Sequence, residues 1–247
     1  MADKKPTKTK PKTPMIFIHG FRGSPDGLKA IADKFPDYDV HMPYIPPSGN
    51  KALAAYDIKH YVAYIRHYIA KNKLKNPILV GHSMGTIIAA AVANRYAQFI
   101  NKKLIFLSPI TKKVARPIAW LTPLIMLVPG NFVSSVTNRF LFVPKYNRYL
   151  YEATLEEAAE GAKKYTSKAD IMRASWFSSN NSVDIFKLHQ KVLIIAGEKD
   201  RIMPQVATKK FAKKINAKLK FIPGVGHLLN YEKPEAVAKL MRDFLKR

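Results

Sequence analysis

The chain has 247 residues, of which 47% are hydrophobic and 11% aromatic, with no cysteine and a formal net charge of +25 at pH 7. That length suits a single domain, with or without an insertion, and is enough to build a large core. The lack of cysteine excludes disulfides, thiolate metal sites and a cysteine nucleophile, and it fits a reducing compartment.

The first thirteen residues hold five lysines and one aspartate, so they carry +4 and leave +21 on the rest. Their Lys, Pro and Thr content, without an apolar run, predicts a disordered basic tail over 1–13 rather than a secretory signal. The longest apolar stretch, 117–129, is shorter than a bilayer span and is broken by Pro123, so the expected location is cytoplasmic. A basic surface suits nucleic acid, anionic membrane or acidic protein. No zinc-knuckle spacing, RNP-type strand or recognition helix accompanies the charge, so nucleic acid is not an expected partner. The cations are dispersed, as in Lys71, Lys73 and Lys75, in Lys102 and Lys103, and in Lys209, Lys210, Lys213 and Lys214. A solvated surface or a generally basic proteome accounts for them.

In chain order, Met15 to His19 is a compact apolar run that reads as a central strand, followed by a Gly- and Pro-bearing loop and a helix over 26–34. A second strand over 38–42 ends at Pro43 and the turn cluster 46–49. Residues 51–73 read as one long helix, because Ile58, Tyr61, Val62, Ile65, Tyr68 and Ile69 recur at three- and four-residue spacing. Strands follow at 78–80, 104–107, 192–196 and 219–222, and helices from just after Gly85 to near Ile100, at 205–215 and at 234–246. This alternation predicts an α/β fold, a mostly parallel central sheet with helices on both faces, built from 14–109 and 188–247. Residues 110–187 interrupt it with helical pieces at 154–165 and 168–175 and no convincing strand, and are read as a largely helical cap over the sheet.

Between the third strand and its helix stands Gly81-His82-Ser83-Met84-Gly85. A Gly-x-Ser-x-Gly pattern at a strand-to-helix junction is the nucleophile elbow, which projects a serine hydroxyl clear of the backbone on a strained turn. Gly81 and Gly85 leave room for the helix to pass close to the strand. Ser83 is therefore the candidate nucleophile, and the Met84 amide, at a helix N-terminus, a candidate donor to developing negative charge.

With these residues in place the chain resembles the α/β-hydrolase family, in particular its small capped esterases and lipases. Four motifs carry the resemblance: His19-Gly20-Phe21, Gly81-His82-Ser83-Met84-Gly85, Gly197-Glu198-Lys199-Asp200 with Pro204, and Gly224-Val225-Gly226-His227. The order Ser, Asp, His is the one that fold uses. The resemblance implies Ser83, Asp200 and His227 as a catalytic triad, favours Asp200 over Glu198 as its acid, and makes the backbone amides of Phe21 and Met84 the oxyanion hole. His19, Gly20, Gly81, His82 and Gly85 are then supporting residues. His41, His60, His67 and His189 have no motif around them and read as surface or structural. In one respect the chain departs from the family, which often has two further strands before the His-Gly strand; here only the short tail precedes it.

The resemblance implies hydrolysis of carboxylic esters through an acyl-enzyme, with no metal or organic cofactor. Trp120, Leu124, Met126 and Phe140, in a predicted cap rich in apolar residues, are candidates for an acyl pocket. The expected substrate is a small-molecule or lipid ester with an apolar acyl group, as for a carboxylesterase or a monoacylglycerol or lysophospholipid lipase. Peripheral contact with anionic membrane fits the positive charge. The alternatives are a thioesterase or esterase acting on an acyl group held by an acidic carrier protein, and a non-catalytic binding protein on the same fold.

Overall fold

The computed structural model of the protein describes residues 11–49, 51–111 and 167–246. Its strands are β1 (Pro14–Ile18), β2 (Asp39–His41), β3 (Ile78–His82), β4 (Lys103–Leu107), β5 (Lys191–Gly197) and β6 (Lys218–Ile222). They form one sheet in the order β2-β1-β3-β4-β5-β6, and every pairing is parallel. The helices are α1 (Asp26–Ala32), α2 (Ile58–Lys71), α3 (Met84–Arg95), α4 (Lys168–Asn180), α5 (Gln205–Lys214), the single turn α6 (Leu229–Glu232) and α7 (Pro234–Leu245).

The four inner strands, β1, β3, β4 and β5, read as near-continuous apolar runs because both faces of the sheet are covered there. Ile16, Ile18, Leu79, Leu104, Phe106, Val192 and Ile194 point into one core with α2, α3, α4 and α5. Their neighbours Met15, Phe17, Ile78, Val80, Ile105, Leu107, Leu193 and Ile195 point the other way, into a second core with α1, α6 and α7. Helix α3 is apolar all round, and every residue from Met84 to Ala93 is buried. A helix of that kind belongs in the interior.

One predicted element is corrected. The helix expected over 51–73 begins at Ile58, because Asp57 is extended and its carboxylate accepts from the His60 amide, which caps the first turn. Residue 56 instead sends its ring inward, edge-on to Tyr61 at 6.1 Å between centroids. Of the predicted cap, 112–166 lie outside the described residues, among them the expected helix over 154–165 and Trp120, Leu124, Met126 and Phe140. The described remainder includes α4, whose Ala174 and Phe177 are buried in the first core, with Phe177 4.6 Å from the Tyr61 ring between centroids.

The chain runs from β1 out to the edge at β2 and returns past β1 to β3, so strand order reverses between β1 and β3. In open α/β sheets the crevice beyond the carboxyl ends of the strands at such a reversal is where sites are built. The His19-Gly20-Phe21 loop leaves β1 there, and Ser83 leaves β3 beside it. No helix among the described residues is long and apolar enough to cross a membrane.

Candidate active site

Ser83 has φ 52° and ψ −120°, a conformation that costs a non-glycine residue on the order of 1–3 kcal/mol. Its neighbours hold it there. The Ser83 amide donates to the Leu107 carbonyl at 3.0 Å, and its own carbonyl accepts from the Thr86 amide at 2.9 Å and the Thr86 hydroxyl at 2.6 Å. The two elbow glycines allow the helix in. A Cβ on Gly81 would stand 2.5 Å from the Gly85 carbonyl oxygen. One on Gly85 would reach 2.8 Å from the His19 carbonyl oxygen and closer still to that of Ile18. Gly85 therefore makes its close approach to the end of β1, which brings the start of α3 against the 19–22 loop. Gly20 completes the junction, since a Cβ there would lie 2.9 Å from the Cβ of Ser83.

The His227 ring spans Ser83 and Asp200. Its Nε2 lies 2.9 Å from the Ser83 hydroxyl and its Nδ1 2.8 Å from Asp200 Oδ2. The side chains of His227 and Asp200 are 4% and 2% exposed, so the contact between them is not diluted by water. Burial pushes the Asp200 carboxyl up, but the His227 charge and hydrogen bond, with the amides of Met203 and Ile202, outweigh it and hold the group below its ordinary range. Those amides donate to Oδ1 at 2.9 and 2.8 Å, leaving Oδ2 for the imidazole. An ionised carboxylate only accepts, so Nδ1 carries the ring proton and Nε2 presents a lone pair to the serine hydroxyl. Glu198, the rival acid, accepts from the Gly224 amide instead.

Met84 opens α3 directly after Ser83, Phe21 follows the Gly20 that abuts the serine, and among the described residues neither of their amides donates to another protein group. No cluster of three His, Cys, Asp or Glu side chains among the described residues could hold a metal ion.

The model of the "Alpha/beta hydrolase family" matches residues 15–240. The chain belongs to that family. It is similar, at 26% identity over 248 residues, to a Mycoplasma pneumoniae protein named "Putative esterase/lipase 2", an alignment spanning 93% of this chain and 88% of that one. A second Mycoplasma pneumoniae protein, named "Putative esterase/lipase 3", is 30% identical over 112 residues, 43% of this chain and 40% of the other. Among solved structures, an esterase from Exiguobacterium antarcticum matches with a TM-score of 0.82 at 15% identity, over 97% of this chain and 94% of that one. That likeness is one of fold.

In this hydrolase two further histidines stand beside the serine, and both are built to stay neutral. The Ile45 amide donates to His19 Nε2 at 2.8 Å, so Nδ1 carries the proton and donates to the Gly20 carbonyl at 2.9 Å. His19 thus ties the 19–23 loop to the segment after β2. His82 Nε2 donates to the His227 carbonyl at 3.3 Å, and the two rings lie 5.6 Å apart. Burial lowers His19 to about 4, and burial with the nearby His227 charge lowers His82 to about 3.

This makes stability depend on pH. Below the ordinary value of 6.5 the unfolded chain takes protons on both rings and the folded one does not, so stability falls with pH toward about 4 for His19 and about 3 for His82. Each ring contributes a slope of up to about 1.4 kcal/mol per pH unit across its window. Urea midpoints are therefore expected to drop between neutral pH and about pH 4.5, and less steeply in His19→Gln and His82→Gln. Equal slopes in all three proteins would contradict this account.

Three further residues support the site. The Thr86 hydroxyl, besides bonding the Ser83 carbonyl, accepts from the Ile110 amide at 3.3 Å. Glu232, buried, accepts from the Gly226 amide at 3.0 Å and so fixes the loop immediately before His227. Gly197 lets that loop pass, because a Cβ on it would overlap the carbonyl oxygens of Val225 and Gly226. Only Gly197 lay within a motif visible in the sequence. Thr86 and Glu232 are recognisable only from their burial.

Proposed function

We propose that this hydrolase cleaves carboxylic esters, with Ser83 as nucleophile, His227 as general base and acid, and Asp200 as the group that orients and stabilises the imidazole. The unbroken hydrogen-bonded line from the Ser83 hydroxyl through His227 to an ionised Asp200 carries the reading. The names of the Mycoplasma relatives support the choice of esters.

His227 Nε2 takes the Ser83 proton as Oγ attacks the acyl carbonyl carbon. The oxyanion that forms is held by the amides of Met84 and Phe21, a type of donor whose loss costs on the order of a hundred- to a thousandfold in rate. The tetrahedral adduct collapses, the C–O bond to the alcohol breaks, and the imidazolium protonates the departing oxygen. Water then gives a proton to Nε2 and adds to the acyl-serine. Collapse of that adduct releases the acid and returns the proton to Ser83. The Asp200 charge stabilises the imidazolium in both halves, and the neutral His19 and His82 add no competing positive charge.

A series of p-nitrophenyl esters of increasing acyl length, run beside the matching acyl thioesters, tests the reading. Hydrolysis of the esters, strongest for apolar chains beyond acetyl, is expected. Turnover of thioesters alone would move the activity to that class, and turnover of neither would contradict the proposal.

A further inference from the structure

Between Asp200 and Glu232 the chain has no carboxylate and seven cations: Arg201, Lys209, Lys210, Lys213, Lys214, Lys218 and Lys220. Most lie on α5 and β6, the last helix–strand pair at one edge of the sheet. On α5, Thr208, Phe211 and Ala212 are buried against the core. Val206, Lys209, Lys210 and Lys213 stand at i, i+3, i+4 and i+7, so they share the opposite, solvent face. All four are exposed, as is Lys214 beside them, and Val206 is 79% exposed.

None of the α5 lysines is in an ion pair among the described residues. Lys214 donates to the Asp184 carbonyl, and Lys209 stands 5.6 Å from the centre of the Phe221 ring. Among the described residues no carboxylate compensates their charge. The apolar component is equally local. Val206 opens this face, and exposed Ile202 precedes it in the loop whose amides hold Asp200.

We propose that the exposed face of α5, with Ile202 at its leading end, docks on an anionic lipid surface. Lysines near such a surface gain attraction from its negative potential, and an apolar side chain on the same face adds burial below the headgroups. Lysine is a compact point charge, suited to diffuse anionic headgroups, while paired recognition of a phosphate edge is the work of arginine. The face carries no exposed aromatic side chain on which a base would stack. Those features favour a membrane over nucleic acid. Docking there sets the bilayer beside the loop that carries Asp200. The inference rests on the ester-hydrolase reading only for its purpose, which is to bring the site to lipid-borne esters.

The test is sedimentation with phosphatidylcholine vesicles, with and without phosphatidylglycerol, which needs no turnover and is repeated with Ser83→Ala. Failure of the catalytic reading therefore leaves this result standing, and the reverse holds. Wild type is expected to bind the anionic vesicles alone, and less as salt rises. Changing Lys209, Lys210, Lys213 and Lys214 together to Ser should weaken binding on the order of a thousandfold. The same charge change at Lys71, Lys73, Lys75 and Lys102 should leave most of it. Val206→Ser, which alters no charge, should weaken it several-fold.

Absence of binding by wild type, or equal losses in the two four-lysine variants, would overturn the proposal. So would binding to a short RNA duplex, abolished by the α5 variant, in a protein that ignores vesicles.

Discussion

Ser83→Ala is expected to lower kcat for ester hydrolysis by about 10⁶-fold with little change in stability, and His227→Ala to lower it comparably. The elbow explains why folding should survive. The Ser83 backbone is held through its amide by Leu107 and through its carbonyl by Thr86, and neither bond uses the hydroxyl. Alanine keeps the same Cβ against Gly20, so the 19–22 loop is undisturbed. What disappears is the atom that attacks. Because serine and histidine act as one unit, the double variant should be no slower than either single one. Steady-state kinetics with a p-nitrophenyl ester, paired with thermal melts, checks this. Multiplying losses, or a Ser83→Ala enzyme retaining a tenth of its activity, would contradict the assignment.

Asp200→Asn should cost on the order of 10⁴-fold in kcat while leaving the fold in place. The argument is about a proton. Asp200 Oδ1 is occupied by the amides of Ile202 and Met203, and an asparagine oxygen would take that position. Its NH₂ group then faces His227 Nδ1 and donates to it, which forces the ring proton onto Nε2. That nitrogen can no longer accept from Ser83. Glu198→Gln is the control, since Glu198 touches Gly224 and not the imidazole, and it should keep near-normal kcat. A large loss from Glu198→Gln with a small one from Asp200→Asn would exchange the two roles.

Much of this arrangement was legible because it is written locally. The four inner strands stood out as short aliphatic runs, since a parallel sheet covered on both faces leaves no polar alternation to dilute them, while β2 and β6 at the edges carry polar residues as well. Gly81, Ser83 and Gly85 announced a strand-to-helix junction, and the structure gives the reason in the backbone contacts of Gly85 with β1 and Gly81 with α3. The beginning of α2 lies where the Asp57 cap sets it, at the first residue of the apolar series from Ile58, and not at residue 51, since the Ala-rich stretch upstream does not extend the helix. The preference for Asp200 over Glu198 came from the family resemblance, because nothing in the chemistry of the two residues separates them. The choice depends on which carboxylate the backbone amides turn toward the imidazole. His19 reads as part of a His-Gly motif, yet its bond to the Ile45 amide joins segments 26 residues apart that no local pattern connects. Thr86 and Glu232 look like ordinary polar residues until their burial is known.

The central claim is that Ser83 is an activated nucleophile, and labelling with a fluorophosphonate probe tests it most directly. The phosphorus is attacked by Oγ with loss of fluoride, leaving a covalent adduct that peptide mass spectrometry places on one residue. The account predicts a single adduct on Ser83 in wild type, none in Ser83→Ala, and little in His227→Ala. Folded wild-type protein that stays unlabelled, or an adduct on another residue that persists in Ser83→Ala, would contradict it.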